Sequence, residues 1–287
     1  MEWLHLILNL AALLLWIHWR DVPVSTAPVK SKSPGVRFKR LGIRLARGSL
    51  GLLVLAMLLV GRAWFYHRIA PEVDWQPRLT LITYTPQITA DLSLPFAWAD
   101  FTKQLAFSLV SFAGWLVRYN FVLVFCSVLK PEIDEARGWR HFLRGQLGLL
   151  DRLPALVKIP LALALGAGVH YGAAWWLVGL GIMPALAPEA LLHLAGGMAV
   201  LDLRIVAWCA MVVLSLFVLN SYIYFGKHKF WKIIEATGHG LLRPFRLFPM
   251  KWGRVDFAPL AGLALAWGCA LLIEPEQLNW LYQRLLG

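Results

Sequence analysis

The chain has 287 residues, 59% hydrophobic, 13% aromatic and 15% charged, with a mean hydropathy of +0.61 and a formal net charge of +12. Soluble domains carry about 25% charged residues, so this composition excludes an ordinary soluble domain and requires long apolar helices. Cys126, Cys209 and Cys269 all lie in apolar stretches without CxxC spacing, which leaves zinc, c-type haem and a disulfide framework without support, and no metal is expected.

Six apolar stretches are long enough to be read as spans, at 3–19, 49–66, 105–129, 159–180, 205–225 and 257–273. The first is expected to be a span and not a signal peptide, because only Glu2 precedes its apolar run and no small-residue cleavage site comes before Arg20. The connections between the spans differ sharply in charge. The first, third and fifth hold eight, six and seven Lys/Arg residues, 21 of the 28 in the chain, whereas the fourth, at 181–203, holds none. The positive-inside rule then places the odd connections in the cytoplasm and both termini outside. Topology accounts for the basic excess, and no nucleic-acid partner is expected.

The first connection, VPVSTAPVKSKSPG, is rich in Pro, Ser and Lys and is expected to be irregular before a basic run enters the second span. The external stretch 67–101 is different. RLTLITYTP alternates like a strand, Glu72, Asp74, Asp91 and Asp100 make the stretch acidic, and LPFAW closes it with aromatics. One short strand is unstable alone, so it is expected to pack on the bundle or on a partner.

From Leu105 onward the chain repeats itself. FVLVFCS echoes FVLNSYI, Trp139-Arg140 echoes Trp231-Lys232, and KIPLALALGAG echoes FAPLAGLALAWG, with Pro160 matching Pro259. Each unit reads as span, basic amphipathic segment, proline re-entry and span, and the two units share one orientation. The segments 133–150 and 230–242 have helical apolar spacing beside arginines and lysines, as interfacial helices do. Gly138, Gly145, Gly238 and Gly240 weaken both of them as helices.

The stretch 220–259 is the most structured in sequence. Pro244 and Pro249 break the helix, and Arg243, Arg246, Lys251 and Arg254 make a cationic corner. Asp256 stands where an N-cap belongs, and Pro259 lies in the first turn of the next helix. NSYIYFG at Asn220, LLRPFR, Pro249 and VDFAP together resemble the YggT (YlmG-type) family of small integral membrane proteins. That resemblance implies links to osmotic stress tolerance and cell division, or to cytochrome cofactor assembly in plastid relatives, and names no reaction. It divides the chain into a two-span region with a basic linker and acidic external loop at 1–104, a degenerate copy at 105–181, a full YggT-like repeat at 199–273 and an external tail at 274–287. The degenerate copy has Asp151, Arg152, Pro154 and Val157 in place of the signature residues.

Arg118, followed by Asn120, lies within the third span, where a charge costs about 3 kcal/mol and faces the bundle or a cavity. It is expected as a buried polar group bonded to Asn220, a helix carbonyl or Asp202, the alternative being a polar path. Asp202 and Arg204 are expected to snorkel outward. His170 is the only histidine placed deep in the bundle. A bis-His haem needs two facing ligands, so His170 reads as a packing histidine and no cofactor is expected. Gly166, Gly168 and Gly172 would allow close helix approach.

The chain is therefore expected to be an all-α, six-span protein of the cell inner membrane without catalytic machinery. Its role would be a scaffold or assembly factor whose cationic corner binds anionic lipid or an acidic partner. The alternatives are a small channel using Arg118 and Asn120, or a cofactor-bearing subunit of an electron-transfer complex. The fifteen tryptophans suit a subunit of a larger membrane assembly.

Overall fold

A computed structural model describes residues 2–21, 34–69, 71–72, 77–85, 88–96, 100–129, 137–223, 229–247, 250–252 and 255–274. Among the described residues, nine helices and four short strands follow one another in the order α1 (Glu2–Asp21), α2 (Pro34–Ile69), β1 (Arg78–Thr85), β2 (Ile88–Pro95), α3 (Phe101–Leu129), α4 (Arg137–Leu147), α5 (Ala155–Gly179), α6 (Pro188–Asp202), α7 (Arg204–Tyr222), α8 (Lys229–Leu241), β3 (Lys251–Trp252), β4 (Val255–Asp256) and α9 (Ala258–Leu272). Tight single-turn helices at Gly148–Arg152 and Pro244–Leu247 lead out of α4 and α8.

Five helical stretches are long and apolar enough to cross a membrane, and no more than 28% of the apolar window in any of them is buried within the protein. Trp3, Leu14, Leu50, Met57 and Trp64 are all more than half exposed. Apolar surface on this scale is untenable in water and ordinary against lipid. Of the six expected spans, five correspond to these stretches among the described residues. α9, at 15 residues, reaches about 22 Å where a hydrocarbon core needs about 30 Å.

The described residues are mostly helical, as expected, and two small sheets accompany the helices, β1 pairing with β2 and β3 with β4. The strand read from RLTLITYTP is β1, which pairs with the next segment of chain, and Phe96 at the end of that segment lies on Phe107 of α3 with ring centroids 5.2 Å apart. Helix α2 begins at Pro34, within the connection read as irregular. The stretch 181–203, read as a loop, contains α6, which passes into α7 through a single tight turn at Leu203. The backbone bonds Leu203 N→Val200 O and Val206 N→Leu203 O mark that turn. Asp256 is not an N-cap. It lies in β4 opposite Lys251, and Phe257 takes the cap position without a side-chain bond, while Pro259 does stand in the first turn of α9.

The chain forms two units. In the first, Ala12 of α1, Leu55 and Leu59 of α2 and Phe112 of α3 make the core, and Trp19 lies against Gly51, where an added Cβ would meet its ring at 3.2 Å. Asp100 caps α3 by accepting the Thr102 N–H at 2.9 Å. In the second, Val117, Phe121 and Val124 of α3 pack with Leu143 and Leu147 of α4 and Ala162 of α5. The apolar stripe of α4, read as a membrane-interface face, is thus covered by the protein itself, and Arg140, His141 and Arg144 occupy its exposed side. Leu214, Leu242 and Ala258 form a second core beneath α8.

Candidate functional site

Three clusters of polar side chains form between apolar helices. In the first unit, Arg62 of α2 is 2% exposed. Its Nε donates to Ser108 Oγ at 2.9 Å and its Nη1 to Asn9 Oδ1 at 2.6 Å, while Nη2 donates to the Ser108 carbonyl. Ser108 Oγ in turn donates to the Leu59 carbonyl at 2.8 Å. Asn9 Nδ2 donates to the His5 carbonyl at 3.0 Å and meets His5 Nε2 at 2.9 Å, and Ser111 Oγ lies 2.9 Å from the same nitrogen. Two donors converging on Nε2 put the ring proton on Nδ1, which donates to Tyr66 Oη at 3.0 Å. Among the described residues no carboxylate meets Arg62. Its hydrogen-bond donors are shared instead between one serine and one asparagine on the two neighbouring helices.

Helical spacing explains why these residues meet. His5 and Asn9 lie one turn apart on α1, as do Arg62 and Tyr66 on α2, so each pair shares a face. Sequence reading passed over Arg62. The available signal was a lone arginine inside an apolar span, which by itself warrants a search for partners.

The second cluster joins α3, α5 and α6. Asp202, the last residue of α6, has a side chain only 2% exposed and accepts from Arg118 Nε at 2.6 Å and from His170 Nε2 at 2.8 Å. Arg118 was expected as a buried polar group. Its side chain is 45% exposed, and the buried member is Asp202. Asp202 does not snorkel as expected, because it is enclosed, and Arg204 Nη2 pairs with Glu274 Oε1. Asn120 is partly buried on α3 and Asn220 partly buried near the end of α7. His170 contributes Nε2 to the carboxylate, so one of the two nitrogens through which a histidine binds iron is engaged. Gly166, one turn earlier on α5, is the point of contact, where an added Cβ would meet Phe121 at 3.0 Å and Val117 at 3.2 Å. Gly168 and Gly172 face nothing within 4 Å and do not serve the close approach expected of them.

In the third cluster Lys158, 1% exposed, donates to Ser127 Oγ at 2.6 Å and lies 3.6 Å from Asp151 Oδ1. Ser127 donates to the same carboxylate oxygen at 2.6 Å, and Arg144 stands 3.5 Å from the other. Asp151 holds the position where the degenerate copy departs from the signature, and it ties α3, α4 and α5 together there. Such pairs stabilise through geometry and mutual neutralisation, since the desolvation of each ion offsets much of their attraction.

The expected cationic corner follows α8. Gly238 lets Phe217 of α7 lie directly on this helix, an added Cβ falling 2.6 Å from the ring, and Gly240 faces the Leu129 carbonyl of α3 at 3.3 Å. These glycines, expected to weaken the helix, are where its neighbours come closest. Arg243 is exposed just beyond α8, and Pro244 opens the tight turn. Pro249 and Arg254 lie outside the described residues, as do the side chains of Arg246, Lys251 and Asp256. Beside this turn an apolar cavity of about 320 Å³ runs between α7 and α9.

The chain matches no protein-family model, no curated protein and no solved structure, so none of the three comparisons identifies the YggT family.

Proposed function

We propose that this chain is a non-catalytic multi-pass protein of the cell inner membrane, of the YggT type, acting as a scaffold or assembly factor. In this reading both termini lie outside, and the corner formed by Arg243, Arg246, Lys251 and Arg254 lies in the cytoplasm, where it binds anionic lipid headgroups or an acidic protein partner. The observation that carries it is the mutual engagement of Arg118, Asp202 and His170. Asp202 is enclosed and bonded to both Arg118 Nε and His170 Nε2, so its charge serves to hold three helices together. The exposed Arg243 at the end of α8 offers a cation where a headgroup or partner can reach it, at about 1 kcal/mol of attraction per basic residue near an anionic surface. The test is co-purification from mild detergent, comparing the native chain with a variant carrying glutamine at all four corner positions. The native chain should retain anionic lipid or an acidic partner that the variant loses, and equal retention by both would sink the reading.

A second reading rests on the same cluster. Arg118, Asp202 and His170 form a continuous hydrogen-bonded line across three helices, the kind of arrangement along which intramembrane transporters pass protons or anions. Proteoliposome flux that is absent, or unchanged by Arg118→Ala, removes it.

A further inference from the structure

The tight turn Gly148–Arg152 is held on one side and open on the other. Gly148 takes a left-handed φ of 59° to end α4, and the Leu153 N–H closes on the Leu150 carbonyl at 3.3 Å. Asp151 is tied down by Ser127 of α3 at 2.6 Å and by Lys158 of α5 at 3.6 Å. The neighbours of Asp151 are left pointing outward. Leu149 is 79% exposed, and Leu156, at the start of α5, is 89% exposed. With Trp3 they are the most exposed large apolar side chains among the described residues.

What covers these two leucines follows from where they stand. Helix α5 is long and apolar enough to cross a membrane, and Val157, Leu161, Leu165 and Trp175 continue its exposed apolar surface. That surface begins at Leu156, which puts the turn at the edge of the hydrocarbon layer. A lysine at such an edge ordinarily reaches out to lipid phosphates. Lys158 does not, being 1% exposed and spent on Ser127 and Asp151. Arginines hold the outward positions instead. Arg144 is 73% exposed even with its Nε 3.5 Å from Asp151, and Arg152 is exposed and meets no carboxylate among the described residues. Glu132, Asp134 and Glu135 precede α4 and lie outside those residues.

Exposed leucines at the hydrocarbon edge beside guanidinium groups complement an amphiphile with a negatively charged head. We propose that the turn Gly148–Arg152 is a docking site for an anionic phospholipid, with Leu149 and Leu156 against its acyl chains and Arg144 and Arg152 on its headgroup phosphate. The site lies in the degenerate copy, where Asp151 departs from the signature, and it does not depend on the corner at Arg243. Asp151 is its positioning residue, since it draws the lysine inward and leaves the arginines outside.

The test uses the full chain in bilayer nanodiscs of mixed phosphatidylcholine and phosphatidylglycerol. A photoactivatable diazirine near the head end of one acyl chain is carried by phosphatidylglycerol in one sample and by phosphatidylcholine in the other, and adducts are mapped by mass spectrometry. Leu149 and Leu156 should take more label from phosphatidylglycerol, whereas Trp175, exposed on the same α5, should take it equally from both. Arg144→Gln and Arg152→Gln should each cut the preference at the leucines by about fivefold, the effect of one basic residue near an anionic surface. Arg144 also neighbours Asp151, so if that variant melts lower, Arg152→Gln decides. Arg243→Gln should leave the preference at the leucines unchanged, which separates this site from the corner whichever of the two fails. Leucines without adducts from either lipid would overturn the membrane seating. Equal labelling by the two lipids, the result expected if the acids before α4 neutralise the arginines, would overturn the anionic assignment. A preference that survives Arg152→Gln, or that Arg243→Gln abolishes, would overturn the site.

Discussion

Asp202 Oδ1 lies 2.6 Å from Arg118 Nε, with the carboxylate almost fully enclosed and the guanidinium nearly half exposed. The two members of this pair therefore do not respond alike to mutation. Removing the arginine leaves an enclosed carboxylate with only His170, whereas removing the carboxylate leaves a guanidinium that is nearly half exposed. Arg118→Met should cost about 3–5 kcal/mol, the usual penalty for leaving an enclosed charge without its counter-ion, and Asp202→Ala considerably less. Thermal unfolding of the two variants in one detergent checks the order, and a larger loss for Asp202→Ala would refute it.

Arg62 should not tolerate lysine. Its nitrogens divide between Ser108 on α3 and Asn9 on α1, a fork that a single ammonium cannot reproduce. Arg62→Lys should lose stability comparable to Asn9→Leu, about 1–3 kcal/mol for a buried group left without its partner. A double-mutant cycle between positions 9 and 62 should show strong coupling, and additive effects would count against the network.

Gly238→Ala should destabilise the chain by about 1–3 kcal/mol, the range for overpacking. The new methyl would meet Phe217 Cγ at 2.7 Å and Cβ at 3.0 Å, atoms too close to the backbone to swing aside. Gly168→Ala and Gly172→Ala meet nothing and should be neutral or stabilising by up to about 1 kcal/mol, since alanine is the better helix former. Adding Phe217→Ala should restore much of what Gly238→Ala removes. Unfolding temperatures across the three single variants and the double mutant decide the matter.

Lys158 and Asp151 should be replaceable together and not singly. Lys158→Met leaves Asp151 to Ser127 and Arg144, and Asp151→Leu leaves an enclosed ammonium with only Ser127. The second is expected to be the more damaging, while the double variant, apolar at both positions, should recover toward native stability. Monodispersity and melting of the three proteins measure this, and a double variant worse than either single one would show that the pair does more than neutralise itself.

The apolar stretches were legible because hydropathy needs no partner to be read. The second, third and fourth correspond to α2, α3 and α5, although α5 begins at Ala155, before the re-entry proline at Pro160. Helix α6 was hidden because PEALLHLAGGMAVLD mixes Gly, His and two acids with its apolar residues, and its character shows only through its continuation into α7. Asp256 shows the same limit at the scale of one residue, since a cap and a strand position look alike until register is known. Asp202 could be named among partners for Arg118 because charge is scarce in spans. The Arg62 network could not be assembled that way. Asn9 and Ser108 are unremarkable alone, and they meet the arginine only through the rotation of three helices about their own axes.

Leu203 makes α6 and α7 two rods sharing one joint, and Asp202 stands immediately beside it. The carboxylate pins the short end of a lever about 22 Å long, fifteen residues from the joint to Pro188. A displacement at the pin too small to disturb its neighbours would be magnified at the far tip.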